Sequence, residues 1–348
     1  MKKSQGTKRA PQGSTIPPAT IEIAGKQVAA GERRRIAVPV ASLPTQGLLN
    51  MTVEAIVGRE SGPRLFLCAA IHGDELNGME IIRLVLEKLN PKTLRGTVLA
   101  VPIVNIFGFL NQSRYLPDRR DLNRSFPGSR RGSLAARLAH MFMNEVAGHC
   151  THGIDLHTGS ASRNNLPQIR ADLTSPETLR LAEAFAAPVI IHSALRDGSL
   201  REAATESGLH MLVYEAGEAL RFNPEAIAVG SQGVINTMDA LGMFASKSSV
   251  PKLKLGARHR RRQPPVIFGK ASWIRAKRSG MFRAAIVLGQ RVTRGQYLGE
   301  VADAFGERNA DVHAPGDGLV IGLQESPLVN RGDALIHLAA SGLGEHWE

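Results

Sequence analysis

The stretch "RLFLCAAIHGDELNG", Arg64–Gly78, decides how this chain is read. Apolar residues run without a break from Leu65 to Ile71 and stop at His72. Asp74 and Glu75 follow, then an amphipathic pattern with apolar residues at Leu76, Met79, Ile82, Val85, Leu86 and Leu89. An unbroken apolar run suits a strand covered on both faces, so the sheet is expected to lie between layers of helices. The pattern predicts a helix from Asp74 to Leu89, with His72 at the strand end and Glu75 in the first helical turn. Carboxyl ends of strands in open α/β sheets form the crevice where ligands bind.

Further apolar segments repeat the strand signal: "LLNMTVEAIVG", "GTVLAVPIV", "HGIDLH", "APVIIH" and "LHMLVYEAG". Helical patterns lie between them. One opens on Ser133 as a cap; another opens on Asn223 with Pro224 at its first position. Residues 19–245 therefore read as an α/β domain with a mixed, largely parallel sheet. Residues 246–270 read as a basic, proline-bearing linker. From about 271 short β-like pieces recur between glycines, as in "VHAPGDGLVIGL", and no helix-length pattern occurs; residues 271–348 read as a small all-β, barrel-like domain. Residues 1–18 carry four basic residues and no acids, with almost nothing to bury, and read as a disordered tail.

The 348 residues are 43% apolar, yet no apolar run approaches the roughly 20 residues that span a bilayer. The two cysteines, Cys68 and Cys150, build no disulfide framework, and a reducing cytoplasm is the expected setting. The net charge of +12 raises an anionic partner. Nucleic acid is disfavoured, because no aromatics interleave with the charges of "KLKLGARHRRR", Lys252–Arg262.

His72 and Glu75 can face one point across the strand–helix turn. A catalytic zinc needs a third protein ligand and one open position, and His157 in "GIDLHTGS" also ends an apolar strand. Bound zinc would polarise a carbonyl and bring the pKa of a water towards about 7. Taken singly, each motif is common by chance, and a histidine after a strand is more often a hydrogen-bonded structural residue. The remaining singled-out histidines (His140, His149, His152, His192, His210 and His313) have no comparable context. In "RDLNRSFPG", Asn123 and Arg124 supply an amide and a guanidinium fork that matches a carboxylate, although the same residues favour a plain turn. In "VYEAGE", Glu215 ends an apolar strand; it suits a general base beside the metal, or else a buried partner for an arginine.

The ordered set "HGDE", "DLNRSFPG", "DLHTG" and "YEAG" resembles the succinylglutamate desuccinylase/aspartoacylase family of the zinc carboxypeptidase-like superfamily, over roughly residues 50–340. The resemblance implies one zinc per chain held by His72, Glu75 and His157, with Glu215 as acid/base. It implies that Asn123 and Arg124 hold a substrate carboxylate, that Asp121 orients His72, and that Arg114 polarises the scissile carbonyl. Arg201 is the candidate for a further substrate-side arginine. The C-terminal region resembles a biotinyl/lipoyl carrier fold, but no lysine follows Lys277, so no carrier attachment is expected. The expected activity is deacylation of a small N-acyl amino acid, with no membrane partner, and the family commonly self-associates. A metallocarboxypeptidase acting on short peptides is the alternative among hydrolases; a metal-free scaffold contacting nucleic acid through its basic segments is the alternative from another class. The ligand set also accommodates cobalt or manganese.

Overall fold

The computed structural model describes residues 20–42, 45–253, 264–307 and 309–340. The basic tail 1–18 and most of the segment Lys252–Arg262 lie outside them.

The apolar run before His72 is the end of the strand Glu60–Ala69, and Leu65–Ala69 are fully buried. Successive side chains leave opposite faces. Phe66 and Cys68 enter a layer with Phe142 of the helix Leu134–Glu145, the two phenyl rings meeting edge-on at 5.5 Å. Leu65, Leu67 and Ala69 enter the other layer with Ile81, Ile82 and Val85 of the helix Asn77–Leu86. Burying each large apolar side chain contributes about 1.5–3 kcal/mol, so this strand is clamped from both sides.

Its neighbours Arg95–Val101 and His152–Gly159 are both parallel to it, and His210–Glu218 runs parallel to His152–Gly159. Four adjacent parallel strands thus end on the same side. Leu48–Val57 and Arg33–Ser42 extend one edge with antiparallel pairing. On the other side, Arg163–Ala171 pairs antiparallel with His210–Glu218. Beyond it the sheet forks. Val189–His192 pairs with the second half of that strand, and Gly318–Gln324 pairs with Arg163–Asn165 in its first half.

Through that second branch the sheet continues into the C-terminal β unit by way of Ala334–Ala340 and Lys270–Arg275. The unit packs its own core around Phe282, Leu298, Val301, Val320 and Leu335 and contains no helix among the described residues. The whole is mixed α/β with largely parallel central strands, followed by antiparallel β structure. No helix among the described residues is long and apolar enough to cross a membrane.

The caps form as the sequence predicts. Ser133 Oγ accepts from Ala136 N, and Asn223 Oδ1 accepts from Ala226 N ahead of Pro224. The helix after His72 begins at Asn77, three residues later than Asp74, because residues 72–75 first close a tight turn in which Glu75 N donates to His72 O at 3.1 Å. Two long strands escape the apolar signal. Arg33–Ser42 is an edge strand opening on three exposed arginines. Arg163–Ala171, "RNNLPQIRA", is polar and interrupted by proline. Within the segment 246–270, Val266–Phe268 adds a short parallel strand beside Val189–Ile191.

Candidate active site

His72 follows the strand Glu60–Ala69, while His157 and Glu215 lie near the carboxyl ends of its two successive parallel neighbours. His157 and Glu215 are register partners, so their side chains leave the same face of the sheet. The chain turns out of the first strand at Ala70, which adopts φ 50°, and passes Gly73 against the backbone of Gly108 and Phe109. A Cβ on Gly73 would lie 1.9 Å from Gly108 C, so only glycine lets the turn close here. Gly73→Ala is expected to lower stability by about 1–3 kcal/mol through this overpacking, read as a drop in the denaturation midpoint.

The turn folds Glu75 back onto both histidines. His72 Nδ1 lies 2.8 Å from Glu75 Oε1, and His157 Nδ1 lies 2.7 Å from Glu75 Oε2. The imidazole centroids are 5.0 Å apart, and one donor atom from each of the three residues lies within 4.8 Å of the others. All three residues are buried. This group could hold a metal ion: two imidazoles and a carboxylate, with the Nδ1 atoms turned to one point, form the donor set of a catalytic zinc site.

Each outer ring nitrogen meets an aspartate. Asp121 Oδ1 is 3.2 Å from His72 Nε2, and Asp155 Oδ2 is 2.8 Å from His157 Nε2. Asp155 in turn accepts from the Cys68 thiol, 3.4 Å away, so Cys68 is more than a small apolar filler. Burial and the Asp155 carboxylate push the Cys68 pKa well up, which keeps it a neutral donor. Such carboxylate–imidazole pairs fix the ring orientation of a metal ligand. Burial opposes charge on both imidazoles. It is outweighed at His72 chiefly by Glu75, and at His157 chiefly by Asp155 and Glu75, so both pKa values rise. Burial likewise opposes the Glu75 carboxylate, and the two imidazoles hold its pKa far below the usual range.

Arg114 stands beside this group. It donates from Nη2 to Asp121 Oδ2 at 2.8 Å and from Nη1 to Ser160 Oγ at 3.1 Å, and Nη1 lies 3.6 Å from Glu75 Oε1. Asn123 Oδ1 accepts from Leu200 N at 2.9 Å, which ties this loop to the helix Leu200–Glu206, and Arg124 donates back to the Asn123 carbonyl. Glu215 accepts from Asn165 Nδ2 at 2.9 Å. After it, Gly217 takes φ 74°, and Asn77 Nδ2 donates to Ala216 O at 3.2 Å.

His72, Glu75, Arg114, Asp121, Asn123, Arg124, His157, Arg201 and Glu215 all line one cleft of about 840 Å³. Arg201 is 8% exposed and spends its guanidinium on the loop: Nη1 on Ser193 O, and Nη2 on Ser193 Oγ and Ala194 O. Its geometry is that of a loop clamp rather than a free substrate contact. The six histidines set aside by the sequence reading do not line the cleft. Sequence reasoning missed Asp155, Asn165, Arg163, Arg170 and Trp273, which do. For Asp155 a signal was present, since residues i and i+2 of a strand share a face and "DLH" pairs an acid with a histidine.

The family model described as the succinylglutamate desuccinylase/aspartoacylase catalytic domain matches residues 61–241. The N-alpha-acetyl-L-2,4-diaminobutyric acid deacetylase of Halomonas elongata is 26% identical over 297 residues, covering 82% of this chain and 84% of the relative. The product-bound structure of the ectoine utilization protein EutE from Ruegeria pomeroyi superimposes with a TM-score of 0.79 at 22% identity, covering 93% of this chain and 99% of that one. A succinylglutamate desuccinylase/aspartoacylase from Rhodobacter sphaeroides gives a TM-score of 0.76 at 24% identity, over 88% and 94% of the two chains. The catalytic-domain match spans more than half of the chain and contains all four motifs. This chain therefore belongs to the succinylglutamate desuccinylase/aspartoacylase family.

Proposed function

We propose that the chain is a zinc-dependent amidohydrolase that removes the acyl group from a small N-acyl amino acid. The observation that carries this reading is the convergence of His72, Glu75 and His157 on one point in a cleft that also holds Glu215 and Arg114. The deacetylase from Halomonas elongata supports the reaction class.

A zinc ion held by these three residues would supply the Lewis acid that polarises the acyl carbonyl and makes water acidic enough to attack it. Glu215 takes the proton of the attacking water and returns it to the leaving nitrogen. Its uncommitted Oε1 is suited to this, because Asn165 fixes only Oε2. Arg114, anchored by Asp121 and Ser160, donates to the oxygen on which negative charge develops. Arg124 and the free Nδ2 of Asn123 hold the substrate carboxylate. Asp121 and Asp155 keep the two imidazoles turned inward. Trp273 of the C-terminal β unit lines the same cleft, which favours compact substrates over long peptides.

A screen of N-acyl amino acids for released amine, run with and without chelator, tests the reading. Release that stops on chelation and returns with zinc supports it. Faster cleavage of dipeptides than of any N-acyl amino acid would establish the carboxypeptidase alternative instead. Purified protein holding no stoichiometric metal would favour the scaffold alternative. Asp155→Asn is expected to weaken zinc binding by about 10–100-fold, measured by competition with a chromogenic chelator.

A further inference from the structure

Glu215 stands where the sheet loses its regular ladder on both sides. Towards His152–Gly159, Glu215 pairs with His157 and Glu218 with Gly159, so the strand of Glu215 carries one extra residue. Towards Arg163–Ala171, Glu215 pairs with Gln168 and Gly217 with Asn165, so here the neighbouring strand carries the extra residue. Bulges of this kind disrupt pairing and re-aim side chains, and they are over-represented next to active sites. Gly217, two residues beyond Glu215, takes φ 74°. Ladder hydrogen bonds alone therefore do not fix the chain just after Glu215.

Two asparagine side chains take over that task. Asn77, 1% exposed, holds the backbone: its Nδ2 donates to Ala216 O at 3.2 Å and its Oδ1 accepts from Asn223 N at 2.9 Å. Asn165, 7% exposed, holds the carboxylate itself, with Nδ2 donating to Glu215 Oε2 at 2.9 Å. An ionised carboxylate only accepts, which settles the end of the amide that faces it. Asn165 Oδ1 is then turned away, buried and without a hydrogen-bond partner among the described residues. What it meets is the C-terminal β unit. Gly322 is the register partner of Asn165, and a Cβ on Gly322 would lie 3.0 Å from Asn165 Oδ1, 2.9 Å from His337 Cβ and 3.3 Å from Trp273 Cη2. The rings of Trp273 and His337 stack at 4.4 Å and 8°. Only glycine lets the unit pack against the back of the amide without displacing it. Further along the same strand, the buried Gln168 donates from Nε2 to Ile321 O at 3.2 Å, a second clasp between the two strands.

Leaving a buried carbonyl oxygen unpaired is costly, and an apolar side chain of similar size would avoid the cost. Packing therefore gives no reason for an amide at this position, whereas the bond from its nitrogen does. We propose that Asn165 is a positioning residue for Glu215 and that Gly322 of the C-terminal β unit holds it in place, so that this unit governs proton transfer as well as access to the cleft. Pinning Oε2 restricts rotation of the carboxylate and leaves Oε1 for the proton. Misplacing a reacting group by about 1 Å can cost roughly 10²-fold in rate. The proposal rests on the reading of Glu215 as acid/base and adds the residues that place it.

N165L keeps roughly the size of the side chain and removes the donor. With the N-acyl amino acid that the screen shows to be cleaved fastest, it is expected to lower kcat about 10–100-fold. KM, zinc stoichiometry and the thermal midpoint should stay close to wild type, a split that a merely structural role would not produce. Crystals of zinc-loaded N165L should show the Glu215 carboxylate rotated or spread over several rotamers, which reads the placement without turnover. G322A, whose methyl group presses on Asn165 Oδ1, should also lower kcat, but should add little in an N165A background, because residues that act through one another are not additive. Unchanged kcat in N165L, or a Glu215 carboxylate in its wild-type place in that variant, overturns the proposal. Full additivity of N165A and G322A overturns the part assigned to Gly322. Should G322A fail to fold, N165L decides by the same criteria. Near-normal turnover in E215Q would refute the acid/base reading, whereas collapse in E215Q with normal turnover in N165L refutes the positioning alone.

Discussion

Replacing Glu215 by glutamine is expected to lower kcat by about 10²–10⁴-fold while bound zinc stays at wild-type stoichiometry. The substitution keeps the size of the side chain and an oxygen for Asn165 Nδ2, which now donates to Glu215 Oε2. What it removes is the group able to take a proton. Glu215 is the register partner of His157 on the adjoining parallel strand and leaves the same face of the sheet, yet it belongs to neither the donor cluster nor its hydrogen bonds. Metal content and turnover should therefore separate. Single-turnover measurements at saturating substrate check the chemical step, and metal analysis of the same sample checks the site. Zinc retained together with near-normal turnover would place the base elsewhere.

His157→Ala is expected to do the opposite, removing metal and activity together and weakening the fold. In the present arrangement the imidazole separates two buried carboxylates, Glu75 at 2.7 Å from Nδ1 and Asp155 at 2.8 Å from Nε2. Asp155 is 1% exposed and Glu75 is 2% exposed, so water has little access to either. Truncation leaves both acids facing a cavity with their shared partner gone. Breaking a buried charged pair from one side costs about 3–5 kcal/mol. A clear loss of thermal stability should accompany the loss of zinc, and differential scanning calorimetry with and without added zinc measures both. A variant that still bound one zinc per chain with unchanged stability would remove His157 from the site.

The two substitutions probe the two parts of the site that were legible in the residues. His72, His157 and Glu215 stand out because polar groups end apolar strands where packing gives them no reason to be. Glu75 stands out by its spacing from His72. Their neighbours gave no comparable signal. Asn165, Arg163 and Arg170 lie on a strand whose polar, proline-broken sequence hides its period, because a bulge puts residues of both parities into the cleft. Trp273 and His337 lie more than a hundred residues beyond His157, and only pairing of Gly322 with Asn165 brings them to it. Arg201 read as a substrate arginine because its charge was visible, whereas the carbonyls of Ser193 and Ala194 that engage it were not.

The sequence by itself determined the layered α/β order, the helix caps at Ser133 and Asn223, and the three residues, His72, Glu75 and His157, that converge in a group able to hold a metal ion. Those features rest on local periodicity and on side-chain chemistry at strand ends, which short-range spacing records. Tertiary structure alone decided that Asp155 and Asp121 hold the two imidazoles, and that the C-terminal β unit walls the cleft through one continuous sheet. Strand register and desolvation depend on residues distant along the chain, and no local pattern encodes them.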